Sequence, residues 1–338
     1  MFATLARRLT VLPLMLLGMT LITFVITHLI PADPARVAAG LNASSEQVER
    51  MREQMGLNKP LLAQYVDYLT DLLRGDWGAS AVSQRPVLPD IAVALPATLE
   101  LLVVVTLGFL VLGLPVGILI GSSRSKLVSA LLSFLSYLGM AFPVFWLGLM
   151  LQIVFYRDLQ WLPAVGRVGA QVQAPATVTG FYILDSLITG NWDALGSSLR
   201  HIVMPAACLV LARFAVTARF VAGGVQEALG SDYVRTGKAK GLSRFSILYK
   251  HALRNVLIPV NTMLGLQFGW LLGGSILIEA VFSWPGIGWY AWRSIVSLDF
   301  LPIMGVTLVF STAFILINLV TDLLYQVLDP RISAGGSA

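Results

Sequence analysis

Charged residues and cysteine are both scarce in this chain of 338 residues. Asp, Glu, Lys and Arg make up 12% of it, whereas 57% of the residues are hydrophobic. A soluble domain carries about 25% charged residues, so the composition excludes that class and indicates an integral membrane protein. The single cysteine, Cys208, excludes an intramolecular disulfide and a thiolate metal cluster, and we expect it to pack as a small apolar side chain.

Motifs for catalysis and for nucleotide binding are also absent. There is no HExxH zinc motif, and the histidines are widely separated: His28, His201 and His251. GASA at 78–81 lacks the glycine spacing of a serine-nucleophile turn. In GKAKG, Asp232 stands where a phosphate loop needs a glycine, and Ala239 where it needs Ser or Thr. We therefore predict that the chain has no catalytic residue, metal site or cofactor of its own and does not bind ATP by itself.

Long hydrophobic runs are what the sequence does contain. A helix needs about twenty apolar residues to cross the hydrocarbon core of a membrane. Six stretches meet that length: 9–30, 97–121, 128–156, 201–226, 255–280 and 301–327. We predict an all-α integral membrane protein with six transmembrane helices, in a single domain over 1–338. The first run is too long for the apolar core of a signal peptide and is interpreted as an uncleaved anchor.

The positions of the basic residues predict the orientation. Six spans put both termini on one side, and Lys and Arg collect in short cytoplasmic loops. With cytoplasmic termini, those segments carry most of the short-loop cations: Arg7, Arg8, Arg124, Lys126, Arg235, Lys238, Lys240, Arg244, Lys250, Arg254 and Arg331. The last external loop has only Arg293. This bias also accounts for the net charge of +5 without nucleic-acid binding.

The polar region 31–95 is predicted to be an external, folded insert after the first span. Ser44 and Gln47 form a potential capping box at the start of a helix over EQVERMREQM, and Gly56 is a natural stop. A second helix is predicted over Leu61–Leu73, ending at Gly75. Its apolar residues offer surface to bury, so a small helical cap is favoured over a disordered linker.

The stretch SDYVRTGKAKGLS at 231–243 lies in the predicted cytoplasmic segment 227–254. Gly237 and Gly241 oppose a long helix, whereas a short helix that turns at Gly241 fits the sequence. Charge alone favours a solvated loop whose cations set the topology. A polar, closely approachable helix could instead dock on a soluble partner.

Several motifs in chain order resemble permease subunits of binding-protein-dependent ABC importers, in the peptide-transport branch. DYVRTGKAKGLS followed by KHALRNVLIPV resembles the cytoplasmic coupling segment of that family. Similar motifs occur from the insert to the last helix: KPLLAQYVDYL, GDWGAS, GGSILIEAVFSWPGIG and NLVTDLLYQVLDPRI. Because all of these motifs are present in order, docking on a soluble partner is favoured over a solvated loop as the interpretation of the 231–243 stretch.

The resemblance implies an importer-type permease fold and a bacterial inner-membrane location. It also implies a homologous second permease, which makes a heterodimer, one or two cytoplasmic ATPase subunits that bind ATP and magnesium, and an external solute-binding protein. Arg235, Thr236 and Gly237 match the family's Glu-Ala-Ala triplet, and Gly241 matches its glycine. The branch usually has alanine at Gly237. The candidate ATPase-coupling residues are Asp232, Tyr233, Arg235, Thr236, Gly237, Lys238, Ala239, Lys240 and Gly241.

Ionisable residues inside the spans are costly and are therefore candidates for function. Arg213 either faces the translocation path or a neighbouring subunit, where it would attract a peptide carboxylate, or pairs with another helix or with the second permease. Arg219 lies six residues further on and points to a different face. Glu100 and Glu279 either line a vestibule or reach interfacial water, and the second is favoured.

Three further features concern the ends and bends of the spans. Pro285 and Gly286 in SWPGIGWYAW indicate either an external gate or an aromatic anchor at the interface. Asn318 and Asp322, followed by Tyr325 and Asp329-Pro330-Arg331, predict a network that fixes the last helix against the coupling segment, in preference to a substrate site. Pro143 is expected to kink or unwind the third span.

These features predict half of a translocation path for peptides or a related small solute, coupled to partner ATPases. The same class of permease for a nickel complex, glutathione, an opine or a sugar is the alternative. An autonomous secondary transporter would need internal inverted repeats, and the two halves of the sequence are not visibly similar. A membrane enzyme would need a reactive constellation, which the motif search did not find.

Overall fold

The computed structural model describes residues 2–29, 33–40 and 42–328, and these residues form α-helices without a β-sheet. The helices are α1 (Phe2–Leu29), α2 (Pro34–Ala39), α3 (Ser45–Gln54), α4 (Leu61–Leu73), α5 (Val87–Ser122), α6 (Lys126–Leu138), α7 (Val144–Leu151), α8 (Tyr182–Thr189), α9 (Trp192–Gly230), α10 (Asp232–Ala239), α11 (Arg244–Ser246), α12 (Leu253–Val281), α13 (Ile287–Val296) and α14 (Phe300–Leu328). π-helical turns follow α7 at Gln152–Asp158 and α11 at Ile247–Ala252.

Five helical segments are long and apolar enough to cross a membrane: Thr10–Leu29, Val87–Ser122, Trp192–Gly230, Val260–Val281 and Phe300–Leu324. They coincide with five of the six predicted spans. The remaining one, 128–156, is not continuous, because α6 ends at Leu138 and α7 begins at Val144. The break predicted at Pro143 is therefore confirmed, and its cause is the missing N–H of proline, which cannot continue the hydrogen-bond ladder of a helix.

The chain divides into two compact units. One comprises Leu99–Trp284 and the described residues from Leu316 onward, and the other comprises Phe2–Thr98 and Pro285–Ile315. The second unit has a core of buried residues from α5, α13 and α14: Val87, Ile91, Ala94, Ile287, Ala291 and Val306. The backbone N–H of Ile287 donates to Thr98 Oγ1 at 2.8 Å, which fixes the start of α13 on α5.

The two predicted insert helices are present. Ser44 caps α3, its side chain accepting from the Gln47 backbone N–H and the Gln47 side chain accepting from the Ser44 N–H, as a capping box requires. The second predicted helix, Leu61–Leu73, has the predicted bounds. Gly56 and Gly75 follow the two helices with φ of 66° and 83°, a left-handed conformation that favours glycine.

The first unit is organised around α9, whose buried residues include Cys208, as expected. Glycines on α5 allow α9 to approach closely. A Cβ on Gly113 would lie 2.7 Å from Thr217 Cβ, and one on Gly117 would lie 2.5 Å from the Ala218 carbonyl oxygen. A Cβ on Gly139, in the break before α7, would lie 2.1 Å from the Leu211 carbonyl oxygen. Small residues that let helix backbones approach are typical of membrane bundles.

Candidate functional site

The stretch predicted to couple to a partner forms the short helix α10, which ends at Ala239, and the chain turns at Gly241 as predicted. Gly241 has a φ of 76°. The N–H of Leu242 donates to the Gly237 carbonyl at 3.1 Å, and the N–H of Gly241 donates to the Lys238 carbonyl at 3.0 Å. The bond from Leu242 to Gly237 and the left-handed glycine are those of a Schellman ending, which turns the chain sharply after the helix.

One face of α10 packs against the protein and the other faces solvent. Val234 and Gly237 are buried. A Cβ on Gly237 would contact Leu242 Cδ1 at 3.4 Å and Ile247 Cγ1 at 3.8 Å, so the following turn covers this inner face. Eight of the nine predicted coupling residues are exposed on the helix or in the turn that ends it: Asp232, Tyr233, Arg235, Thr236, Lys238, Ala239, Lys240 and Gly241.

Helix α10 follows α9 directly and contacts the π-helical turn Ile247–Ala252 that leads into α12. Ser231, in an extended conformation, is the only residue between α9 and α10. The adjoining ends of α9 and α12 share a buried cluster with α5: Ile118, Val221, Val225, Val256 and Val260.

Further along α9 and α12, polar side chains link the same two helices. Gln267 Nε2 donates to Thr217 Oγ1 at 3.0 Å, and Gln267 is almost completely buried. The guanidinium of Arg213 lies over the ring of Trp270, with Cζ 4.6 Å from the ring centroid. Arg213 is half-buried and Arg219 is exposed, so the structure does not bring the two arginines into one site.

A buried ion pair lies between Arg167 and Glu100, and sequence reasoning missed its arginine. Arg167 Nη2 donates to Glu100 Oε2, and the two side chains are 6% and 5% exposed. Arg167 also donates to the Gly180 carbonyl at 3.0 Å and lies 3.8 Å from the ring centroid of Tyr182. The burial excludes the favoured interpretation that Glu100 reaches interfacial water.

The Arg167 segment is also attached to the end of α12. Arg167 lies 5.6 Å from the Trp284 ring centroid, and the N–H of Gly166 donates to the Phe282 carbonyl at 2.9 Å. Gln152 Nε2 donates to the Val281 carbonyl at 3.2 Å. The sequence did offer one indication of this cluster, since Arg167 is a charged residue in a loop rich in Trp, Tyr and Pro. Its partner Glu100 is 67 positions away, and sequence spacing does not identify a contact over that distance.

Asp185, at the start of α8, organises the turn between Arg167 and that helix. Its carboxylate accepts hydrogen bonds from the backbone of Val178, Thr179 and Gly180 and from Thr179 Oγ1, at 2.6–3.2 Å. Burial raises the pKa of this carboxyl, but the hydrogen bonds from Thr179, Val178 and Gly180 outweigh it and hold the pKa below 3.8. The turn therefore depends on an ionised aspartate.

The remaining predicted path residues differ in burial. Glu279 is completely buried in α12, so the interpretation that it reaches interfacial water is wrong. Pro285 is exposed, whereas Gly286 is buried at the N-cap of α13, in the second unit.

The network predicted for Asn318 and Asp322 stays a prediction, although α12 and α14 are joined beside Asn318. A Cβ on Gly265 would contact Thr321 and Asn318, and Asn261 Nδ2 donates to the Thr321 carbonyl at 2.8 Å, so α12 and α14 are joined. The side chain of Tyr325 and the predicted residues Asp329, Pro330 and Arg331 lie outside the described part of the structure.

Comparison with known proteins identifies the family. Residues 113–334 match the family described as binding-protein-dependent transport system inner membrane component, and residues 1–102 match its N-terminal family. The chain is 44% identical over 323 residues to the probable D,D-dipeptide transport system permease protein DdpB of Escherichia coli, covering 96% of this chain and 95% of that protein.

Two other relatives are similar over their whole lengths. The dipeptide transport system permease protein DppB of Alkalihalophilus pseudofirmus is 42% identical, with 98% of this chain and 99% of the relative covered. The glutathione transport system permease protein GsiC of Salmonella typhimurium is 38% identical, with 97% of each covered. These relatives are transport subunits, and none is named as an enzyme. The chain therefore belongs to the binding-protein-dependent inner-membrane permeases and is a multi-pass permease subunit of an ABC importer of the peptide branch.

Proposed function

We propose that this permease forms half of a translocation path for short peptides and that α10 couples the path to cytoplasmic ATPase subunits. The observation that carries the proposal is the capped helix α10, which is exposed on one face, packed on the other, and held between α9 and the π-helical turn that leads into α12. A solvated topogenic loop would need neither the Schellman ending at Gly241 nor the buried inner face of Val234 and Gly237.

Movement of α10 would reach the opposite ends of α9 and α12 through packed contacts inside the first unit. These contacts are the shared valine cluster, the bond from Gln267 to Thr217 and the stacking of Arg213 on Trp270. Beyond them, Phe282 and Trp284 hold the Arg167 segment. Closely packed interiors transmit a displacement because they have little free volume to absorb it. The mechanism is a conformational change, alternating access, and involves no covalent chemistry.

The proposed orientation places both termini and α10 in the cytoplasm of a bacterium, and the insert 31–95 outside its inner membrane. In this orientation α10 faces the compartment that contains ATP, and the Arg167 cluster faces the solute-binding protein. Support comes from the distribution of Lys and Arg among the short loops. ATP and magnesium would be bound by the partner ATPases, and a homologous second permease would form the other half of the path.

Short peptides are the proposed substrates because the named relatives transport D,D-dipeptides, dipeptides and glutathione. Glutathione is itself a tripeptide. Among the described residues, no group of three or more His, Cys, Asp and Glu side chains could hold a metal ion, which gives no support to a nickel complex. In the described intramembrane segments, Arg213 is the residue we propose to attract a peptide carboxylate, with Glu279, Pro285 and Gly286 as further path or gate residues.

Reconstitution in liposomes tests the coupling role. The chain would be co-expressed with its second permease, ATPase and binding protein, and peptide uptake and ATP hydrolysis would be measured for Gly241→Val and Gly241→Asn. Valine is strained at a φ of 76°, whereas asparagine tolerates the left-handed region. We expect Gly241→Val to lose binding-protein-stimulated hydrolysis and uptake in an assembled complex, and Gly241→Asn to keep most of both. Uptake by this chain alone without ATP, or full coupling in Gly241→Val, would show that the proposal is wrong.

A further inference from the structure

A cavity of about 1180 Å³ lies in the first unit, where the loop between the third and fourth predicted spans meets the start of α9. It is lined by residues of α9 and its cap between 191 and 201, by Tyr156 and Arg157 at the end of the π-helical turn, and by loop residues at 160–163 and 169–173. None of the proposed coupling or path residues lines this cavity.

Hydrogen bonds hold the segments that line the cavity in place. The backbone N–H of Gly169 donates to Ser197 Oγ at 2.8 Å, which fixes the loop on α9. The N–H of Trp161 donates to the Phe155 carbonyl at 2.8 Å, which fixes the other side of the loop on the π-helical turn. The cavity is therefore a feature of the folded loop.

The ends of two spans place the cavity at the edge of the hydrocarbon. Arg157 is the first charged residue after the apolar run 128–156, and Arg200 is the last charged residue before the run 201–226. Both arginines line the cavity. The headgroup layer outside the hydrocarbon is only about 5–8 Å thick. A cavity that both arginines line therefore lies at the level of the lipid headgroups.

The charges of the cavity favour an anionic group near Arg200. Arg157 is already paired with Asp158 at 2.8 Å. Arg200 is exposed, and no carboxylate of the described residues lies within 4 Å of its guanidinium. Asp193 also lines the cavity, but it lies seven residues, about 10 Å of helix, nearer to the solvent than Arg200. A planar guanidinium binds a phosphate group through two parallel hydrogen bonds.

Helix α8, which packs against α9, has polar residues inside and apolar residues outside. Asp185 and Ser186 are completely buried, whereas Leu184, Leu187 and Ile188 are 45%, 49% and 56% exposed. A helix of eight residues is about 12 Å long, which is too short to cross a membrane. An exposed apolar face on such a short helix is typical of one that lies in the membrane interface.

Amphipathic aromatic side chains lie at the cavity itself. Tyr156, Trp161 and Trp192 all line it, and they are 53%, 61% and 69% exposed. Trp and Tyr are enriched at membrane–water interfaces, where the ring contacts acyl chains and the polar atom contacts headgroups. Trp192 follows the end of α8 by three residues, so the cavity and the interfacial helix lie at a similar depth.

We infer that this cavity binds the phosphate group of a phospholipid, and that Arg200 is the residue that contacts the phosphate. Trp161 and Trp192 would pack beside the glycerol and the first part of the acyl chains. The lipid belongs to the adjacent leaflet, which is the external one in the proposed orientation. The site depends neither on the transported substrate nor on the coupling role of α10.

Native mass spectrometry of the delipidated permease, assembled with its second permease, tests the inference. Phosphatidylethanolamine, phosphatidylglycerol and diacylglycerol with the same acyl chains are added in turn. We expect both phospholipids to bind the wild type, and Arg200→Gln to weaken the tightest binding of each about tenfold. Diacylglycerol, which lacks the phosphate, should bind the wild type about tenfold more weakly than either phospholipid.

Arg50→Gln is the matched control for the loss of one positive charge. Arg50 is an exposed arginine of α3, outside the predicted spans, so its replacement should leave lipid binding unchanged. Equal binding of phospholipid by Arg200→Gln and Arg50→Gln would overturn the site. Displacement of the lipid by inorganic phosphate or by a dipeptide would identify a site for a soluble anion or for the substrate, and either result would overturn the assignment to lipid.

Two further variants cover the possibility that Arg200→Gln does not assemble. Arg200→Lys keeps the positive charge and should retain more phospholipid than Arg200→Gln. With p-benzoylphenylalanine in place of Trp192, a crosslinked phospholipid, seen as an added lipid mass on this chain, supports the inference. Crosslinks to the solute-binding protein alone, or no crosslinks, overturn it.

Discussion

Arg167 and Glu100 form an ion pair that is almost completely removed from solvent, between a loop and the helix α5. The same arginine contacts the aromatic rings of Tyr182 and Trp284. We predict that Arg167→Ala lowers the stability of the purified permease strongly, by about 3–5 kcal/mol, because it leaves the buried carboxylate of Glu100 without its partner.

A double replacement and an exposed pair provide the controls for Arg167. Arg167→Met combined with Glu100→Gln should be milder than Arg167→Ala alone, because neither charge then remains buried. Arg157→Ala should have little effect, since its pair with Asp158 is exposed. Thermal unfolding in detergent measures all three variants. Equal unfolding temperatures for Arg167→Ala and Arg157→Ala would contradict the predicted role of burial.

Close packing of α5 on α9 depends on the absence of a side chain at Gly117. A Cβ there would lie 2.5 Å from the Ala218 carbonyl oxygen, which is backbone and cannot rotate away. We predict that Gly117→Ala destabilises the permease by about 1–3 kcal/mol through overpacking. Gly18→Ala is the matched control, because nothing lies within 4 Å of a Cβ at that helical position. Thermal unfolding is again the measurement, and an equal response of the two variants would show that the α5–α9 contact is not tight.

The stiffness of α10 should respond in opposite directions to alanine at its two glycines. At Gly237 an added Cβ makes an ordinary contact with Leu242 at 3.4 Å, and alanine gains about 1 kcal/mol of helix propensity. At Gly241 nothing obstructs a Cβ, but the φ of 76° costs a non-glycine residue about 1–2 kcal/mol. Hydrogen exchange of the amides in 232–239 should slow in Gly237→Ala and accelerate in Gly241→Ala. Changes in the same direction would contradict the assigned C-cap.

Acid should destabilise the turn that Asp185 organises. The pKa of this carboxyl is below 3.8 in the folded protein, so its contribution to stability is present above its unfolded pKa. That contribution is lost as the pH falls below about 4 and through the folded pKa. We expect the unfolding temperature of the wild type to fall across this acidic range and that of Asp185→Asn to be lower at neutral pH with a weaker acid dependence. Asp193→Asn, at an exposed carboxylate, is the control. An unchanged acid dependence in Asp185→Asn would exclude Asp185 as its source.

Much of the local structure was predictable because its causes are local. The capping box of Ser44 and Gln47, the bounds of Leu61–Leu73 and the turn at Gly241 follow from interactions between residues fewer than six positions apart. Five spans followed from the lengths of their apolar runs. The third predicted span, 128–156, is divided between two helices, because hydropathy and length do not reveal how far a proline separates the helices on either side of it.

By itself, the sequence determined the membrane class, the apolar helices, the short helix after α9 and the family, because composition, hydropathy and motifs are properties of consecutive residues. Only the tertiary structure decided that Glu100 is paired with Arg167 and that Glu279 is buried, since these depend on side chains brought together from distant positions. It likewise decided that Phe245 and Tyr249 are exposed while Ile247 is covered. Hydrophobicity favours burial of all three residues alike, and only the packing of α10 against the following turn determines which of them is covered.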